Sequence, residues 1–146
     1  MTATNHVVTG ALIAITISNP VIGLPLALLS HLVLDSIPHF GLEDLKLAKF
    51  VPILMTDIIF AGSVLVALLI IRPENYWLMV AGGIMAASPD LLSIPLFISM
   101  IKRRKHKYGA VQRFLQKIQW SETVRGLAVE VVWFGFIGAL LLQKIH

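Results

Sequence analysis

Residues 52–71 read PILMTDIIFAGSVLVALLII, twenty positions with one charged side chain, Asp57, closed by Arg72-Pro73. About 20 consecutive apolar residues make a helix long enough to cross a bilayer. No soluble domain of this size has reason to build one. Working outward, a second apolar stretch runs from about Tyr76 to Ile101, with Gly82-Gly83 and Ser88-Pro89 marking a kink and Tyr76-Trp77 at the level of an aromatic belt. A last one spans Thr123 to Gln143, and Val7 to Leu34 carries no ionisable residue except His31. Composition agrees: 57% of the 146 residues are hydrophobic, only 14% are charged, and mean hydropathy is +0.83. These values describe an all-α, polytopic membrane protein and exclude a soluble catalytic domain, a disordered tail or a free nucleic-acid binder. Cysteine is absent, so disulfides, thiolate metal sites and thiol nucleophiles are excluded too.

The N-terminal run predicts a helix from about Thr4 to Ile17, a stop at Asn19-Pro20, and a second helix reopened by Gly23 and Pro25 that continues to Ser36, before Pro38. Each piece is short for a perpendicular span. The expected form is a tilted or re-entrant hairpin, with one kinked span of about 30 residues as the competing form. With no Lys or Arg before the apolar run, the segment does not read as a signal peptide and is expected to stay in the mature protein. The whole chain, 1–146, reads as one integral membrane domain of about five helices plus an amphipathic segment. His39 to Phe50, HFGLEDLKLAKF, reads as an amphipathic loop or interfacial helix.

Between Lys102 and Glu122 the composition changes to KRRKHKYGAVQRFLQKIQWSE, with seven Lys or Arg. Val111, Phe114, Leu115 and Ile118 share one side of a helix in this stretch, while Arg113, Gln116 and Lys117 lie elsewhere, the pattern of a helix in the headgroup plane. Lys102, Arg103, Arg104 and Lys105 are placed to gather anionic lipid headgroups, and no nucleic-acid partner is expected. Putting this loop in the cytoplasm leaves only Arg72 and Lys144 of the twelve basic residues on the far side. The expected location is the inner membrane, with a cytoplasmic N-terminus.

The informative residues are those that lipid excludes: His6, His31, Asp35, His39, Asp57, Asp90 and Glu130. A charge at membrane depth costs about 2.5 kcal/mol or more, so such groups face a cavity, a partner or each other. His31, Asp35 and His39 follow at i, i+4 and i+8 in SHLVLDSIPHF, which puts the first two on one helical face, one turn apart. Two His and a carboxylate suit Zn²⁺, with Mn²⁺ or Fe²⁺ as alternatives. The plainer reading is a hydrogen-bonded pair serving helix packing. The alternation of spans favours metal or proton chemistry over it, because His6, Asp35, His39, Asp57, Asp90 and Glu130 all fall in one half of the bundle. Pro89 frees a carbonyl at depth, so Asp90 either reaches a metal or caps the following half-helix. Asp57 and Glu130 read as proton acceptors or substrate-binding groups, with interhelical hydrogen bonding as the plain use. His106 reads as solvated, and terminal His146 carries no signal. LLSHLVLDSIPHF and MAASPDLLSIPLF share a Ser-Ile-Pro, a faint internal echo.

Three elements, TNHVVTGALIA with His6, LLSHLVLDSIPHFG with His31 and Asp35, and ASPDLLSIP with Asp90, make the first two-thirds of the chain resemble the YdjM-like family of membrane-bound, predicted metal-dependent hydrolases. The chain departs from the family's fuller Pro-Asp-x-Asp-His element, since Leu91, Leu92 and Ser93 follow Asp90, and it lacks the Thr-His-Ser segment. The resemblance implies that His6, His31 and Asp35, with His39 or Asp90, hold one or two divalent ions, and that Asp57 or Glu130 receives a proton. It implies hydrolysis of a phospholipid or other amphiphile at the cytoplasmic headgroup level. A small ion-coupled transporter using the broken helices and a noncatalytic scaffold are the other readings.

Overall fold

The computed structural model describes residues 1–41, 46–105 and 107–145. It is helical throughout. The helices are α1 (Ala3–Ile17), α2 (Pro20–Ser36), α3 (Leu47–Ile71), α4 (Tyr76–Ile101), α5 (Ala110–Ile118) and α6 (Gly126–Ile145). Three of them, α3, α4 and α6, are long and apolar enough to cross a membrane. Their outward faces carry large apolar side chains, among them Ile59, Ile70 and Val132, each at least 70% exposed. That is the reverse of a water-soluble surface and suits contact with lipid.

The N-terminal stretch forms two separate short helices. Asn19 caps α2 by accepting from Val21 N at 3.0 Å, so the helix begins at Pro20 rather than at Gly23, and Pro25 is carried inside it. Pro20 stands at the first helical position, where its missing N–H has no intrahelical acceptor, whereas Pro25 lies inside the helix and leaves Val21 O without its intrahelical donor. α3 likewise starts at Leu47 and carries Pro52 inside it, so Asp57 lies further along its helix than the sequence predicts. The expected interfacial segment 39–50 is helical from Leu47, and its residues 42–45 lie outside the described residues, as do His106 and His146. The kink expected in α4 is a passage of 3-10 helix, Ser88–Ser93, between α-helical Tyr76–Ala87 and Ile94–Ile101.

α1 is the axis of the bundle, packed by α2, α3, α4 and α6, with an unbroken buried run from Thr4 to Ala11. Small residues allow this. A Cβ on Gly10 would lie 2.3 Å from Gly82 O, and one on Gly82 would lie 2.4 Å from Ala14 Cβ, so α1 and α4 cross backbone against backbone. That crossing sets the register of the site. His6 lies one turn before Gly10 on α1 and Ala86 one turn after Gly82 on α4, and the two helices run in opposite directions.

The start of α1 is buried, and a buried helix start must find acceptors for its free N–H groups. Two other helices supply them. Asp57 of α3 accepts from Ala3 N at 2.7 Å and Thr4 N at 3.1 Å, and from the Thr4 hydroxyl at 2.6 Å. Glu130 of α6 accepts from Thr2 N at 3.1 Å and, through its other oxygen, from Phe40 N at 2.9 Å. Two carboxylates at the positive end of the α1 dipole also match it electrostatically. At the same end, Phe40, Phe50 and Phe97 stack at centroid distances of 6.0 and 5.8 Å, tying the exit of α2 to α3 and α4. The opposite end is apolar, built on Val8, Ala11, Leu68, Met79, Ile137 and Leu141.

A candidate metal centre beside the start of α1

His6 from α1, His31 and Asp35 from α2, and Asp90 from the 3-10 passage of α4 bring one ligand atom each within 4.8 Å of one another. His6, His31 and Asp35 are at most 1% exposed, whereas the Asp90 side chain is 35% exposed and forms the open edge. The i, i+4 spacing on α2 places His31 Nε2 3.1 Å from Asp35 Oδ2, and His6 Nε2 reaches Asp35 Oδ1 at 3.1 Å. The 3-10 passage brings Asp90 Oδ1 to 3.7 Å from His31 Nε2. No side-chain cap bond holds the start of the following half-helix, so the capping use expected as an alternative for Asp90 is not realised.

One hydrogen bond decides what this group can do. His31 Nδ1 stands 2.8 Å from the carbonyl oxygen of Ala86, which can only accept, so Nδ1 carries a proton. In a neutral ring Nε2 is then a bare lone pair, and it faces oxygens of two carboxylates. Three acceptors converging on one point require a cation or an added proton between them. A histidine tied at Nδ1 to a backbone carbonyl, with Nε2 directed at carboxylates, is the usual form of a metal-ligating imidazole. His6 also turns its Nε2 to Asp35, but its buried Nδ1 has no hydrogen-bond partner, so its ring lacks the second bond that fixes His31. Two nitrogen and two carboxylate ligands fit a divalent ion such as Zn²⁺, Mn²⁺ or Fe²⁺.

The remaining sequence candidates stand outside the four. His39 is buried, but its Nδ1 pairs with Ile37 O at 2.8 Å and its Nε2 lies 3.8 Å from Glu122 Oε1. It therefore belongs to the junction where Thr123 N donates to His39 O at 2.9 Å, not to the cluster. Pro38 breaks the helix after Ile37 and turns the chain away, which is why the i+8 position does not return to the face of His31. Asp57 spends its oxygens on the start of α1, and Glu130 divides its own between Thr2 N and Phe40 N, so neither joins the cluster. Lys102, Arg103, Arg104 and Lys105 are exposed.

Gln119 is the residue that sequence reasoning missed. Its amide donates to Asp35 Oδ2 at 2.9 Å, from the end of α5. A glutamine in a polar, basic stretch carries no signal of its own, and eighty-four residues separate the partners.

No family model, curated protein or solved structure matches this chain.

Proposed function

We propose that the protein is a membrane-embedded, metal-dependent hydrolase, the activity implied by its resemblance to the YdjM-like family. His6, His31, Asp35 and Asp90 hold the ion, with Zn²⁺ the first choice and Mn²⁺ or Fe²⁺ the alternatives. The observation that carries this reading is that Nε2 of His31 faces oxygens of both Asp35 and Asp90 while Nδ1 is tied to Ala86 O. A divalent ion at such a ligand set supplies acidification of a water and polarisation of an acyl or phosphoryl oxygen.

The chain's own groups divide the remaining work. Asp90, the most exposed of the four, stands at the entrance and is placed to orient an incoming water or receive its proton. Gln119 and Ala86 hold Asp35 and His31 in their ligating orientations. Asp57 and Glu130 fix the buried start of α1 and thereby His6. A site at the end of a lipid-facing bundle favours a phospholipid or other amphiphilic ester or phosphoester, met at the cytoplasmic face of the inner membrane, where the exposed basic stretch 102–105 gathers anionic headgroups.

A carrier would need ionisable groups through both halves of the bundle. Among the described residues, the buried His and carboxylates gather at the end where α1 begins, which favours a one-sided site over a crossing path. The test is elemental analysis of protein purified without a His-rich tag. A near-stoichiometric divalent metal, lost in His31→Ala, supports the assignment, and hydrolysis of a panel of lipid esters and phosphoesters by wild type but not by His31→Ala identifies the reaction. Metal-free wild-type protein after reconstitution with Zn²⁺, Mn²⁺ and Fe²⁺ would reject it.

A further inference from the structure

α5 lies in the connection between two membrane-spanning helices, α4 and α6, and it is tied down near both of its ends. Near its start the Gln112 amide donates to Leu92 O at 2.7 Å, two residues beyond Asp90. At its end the Gln119 amide donates to Asp35 Oδ2 at 2.9 Å. Leu115, on the same side of the helix between them, is buried. α5 therefore reaches from the 3-10 passage of α4 to the last turn of α2, the two elements that carry Asp90 and Asp35. Oδ2 is also the Asp35 oxygen that faces His31 Nε2, so Gln119 bears directly on the metal cluster.

A second side of α5 takes no part in that contact. Val111 and Phe114 are 59% and 55% exposed, and Trp120, just past the helix, is 73% exposed. At 3.6 residues per turn, Val111 and Phe114 project about 100° around the helix from Gln112, Leu115 and Gln119. Apolar side chains facing outward on α3, α4 and α6 belong to the bilayer core, but α5 is nine residues long, too short to cross it. Its surroundings are cationic: the seven Lys and Arg between Lys102 and Lys117 are all exposed, and no Asp or Glu stands among residues 102–121. Arg113 and Lys117 flank the apolar side on the edge away from Gln119. Apolar side chains bordered by cations match anionic headgroups lying above acyl chains.

We infer that the side of α5 carrying Val111 and Phe114, with Trp120, Arg113 and Lys117, binds an anionic lipid surface and thereby holds Gln119 on Asp35. The direction of the effect follows from the two sides being distinct. Phe114 can enter lipid while Gln112 and Gln119 keep their bonds, so the membrane presses α5 onto the cluster and does not draw it off. A helix of nine residues is not stable by itself, so contacts on one side strengthen those on the other. Binding is reciprocal: a lipid surface that fixes Gln119 on Asp35 also tightens the ion that Asp35 holds. That last consequence rests on the metal-site reading, whereas the docking of α5 does not.

The protein is placed in nanodiscs of phosphatidylcholine alone or of equal parts phosphatidylcholine and phosphatidylglycerol. In metal-free protein, amide hydrogen exchange of residues 110–119 should be about tenfold slower in the anionic discs, the effect of withdrawing the exposed parts of Val111 and Phe114 from water. Residues 76–87 of α4 should exchange alike in both. Phe114→Gln, and Arg113→Gln together with Lys117→Gln, should each lose most of the difference. Zn²⁺ affinity, measured by chelator competition, should be about five- to tenfold tighter in the anionic discs. A charged surface also concentrates cations by itself, so the gain is compared with that of Gln119→Ala, which keeps the lipid-binding side and loses the tie to Asp35. A clearly smaller gain in Gln119→Ala supports the coupling, and equal gains would overturn it. Identical exchange of 110–119 in both discs would overturn the lipid surface as the partner and leave this face to an acidic protein. Slowed exchange without Zn²⁺ uptake in either disc would uphold the docking of α5 and reject the metal-site reading instead.

Discussion

The imidazole rings of His6 and His31 are stacked, with centroids 4.0 Å apart and planes inclined by 24°. Two imidazolium ions at that distance would repel strongly, whereas two neutral rings offer lone pairs. Both rings turn Nε2 to Asp35, one to each of its oxygens. The stack is thus an arrangement able to share a cation. Replacing His6 or Asp35 with Ala should remove the ion along with the arrangement, at a cost of at least about tenfold in affinity, while the bundle still folds. Elemental analysis after gel filtration measures this, and full metal occupancy in both variants would exclude them as ligands.

Asp90 separates a ligand from a structural helix break. Because no cap bond depends on it, Asp90→Asn and Asp90→Ala should have nearly wild-type thermal stability. Both should lose metal affinity, since neither offers an anionic oxygen to the ion. A destabilised Ala variant rescued by Asn, with metal retained in the Asn form, would instead mark Asp90 as a cap.

Gln119 reaches Asp35 from outside the membrane-spanning helices, so its amide can be removed without disturbing the helices that carry the ligands. Gln119→Ala should weaken metal binding about 10- to 100-fold, the usual effect of removing a hydrogen bond that orients a ligand, with melting temperature unchanged. Competition with a chelator of known affinity supplies the number. Wild-type affinity would confine Gln119 to packing.

Asp57 is expected to act on stability rather than on the metal. Asp57→Ala leaves Ala3 N and Thr4 N without their acceptor and should cost about 0.5–2 kcal/mol or more, because this helix start is buried. Asp57→Asn keeps one acceptor oxygen and should cost less. Thermal unfolding in one detergent ranks the three proteins, and saturating metal should fill all of them. Failure of Asp57→Asn to bind metal at saturation would place Asp57 in the chemistry.

Orientation is tested directly in a chain without cysteine. Tyr108→Cys, in the basic stretch, and Thr2→Cys should both react with thiol reagents only from the cytoplasmic side. Labelling of position 108 from the periplasm would reverse the topology and put the metal cluster at the outer face.

The all-helical architecture, the three helices long and apolar enough to cross a membrane, the break between Ile17 and Pro20 and the His31-Asp35 pair were all legible in the sequence. These depend on runs of apolar residues, on Pro and Asn punctuation and on the i, i+4 geometry of one helix, each a local property. That His6 and Asp90 fall at the level of Asp35 was also legible, because spans of similar length return the chain to the same depth. Depth is not azimuth. Whether a carboxylate at that level turns to the metal cluster or to the start of α1 depends on helix rotation, and rotation is set by packing, above all by the Gly10–Gly82 crossing that lets α4 press against α1. Hence Asp90 and Asp57, alike in sequence as lone acids in apolar helices, take different partners. His39 leaves the site and Gln119, which no sequence pattern marks, enters it for the same reason: Pro38 sends one chain segment away from the site, and the fold of 107–125 brings a polar amide back across eighty-four residues to Asp35.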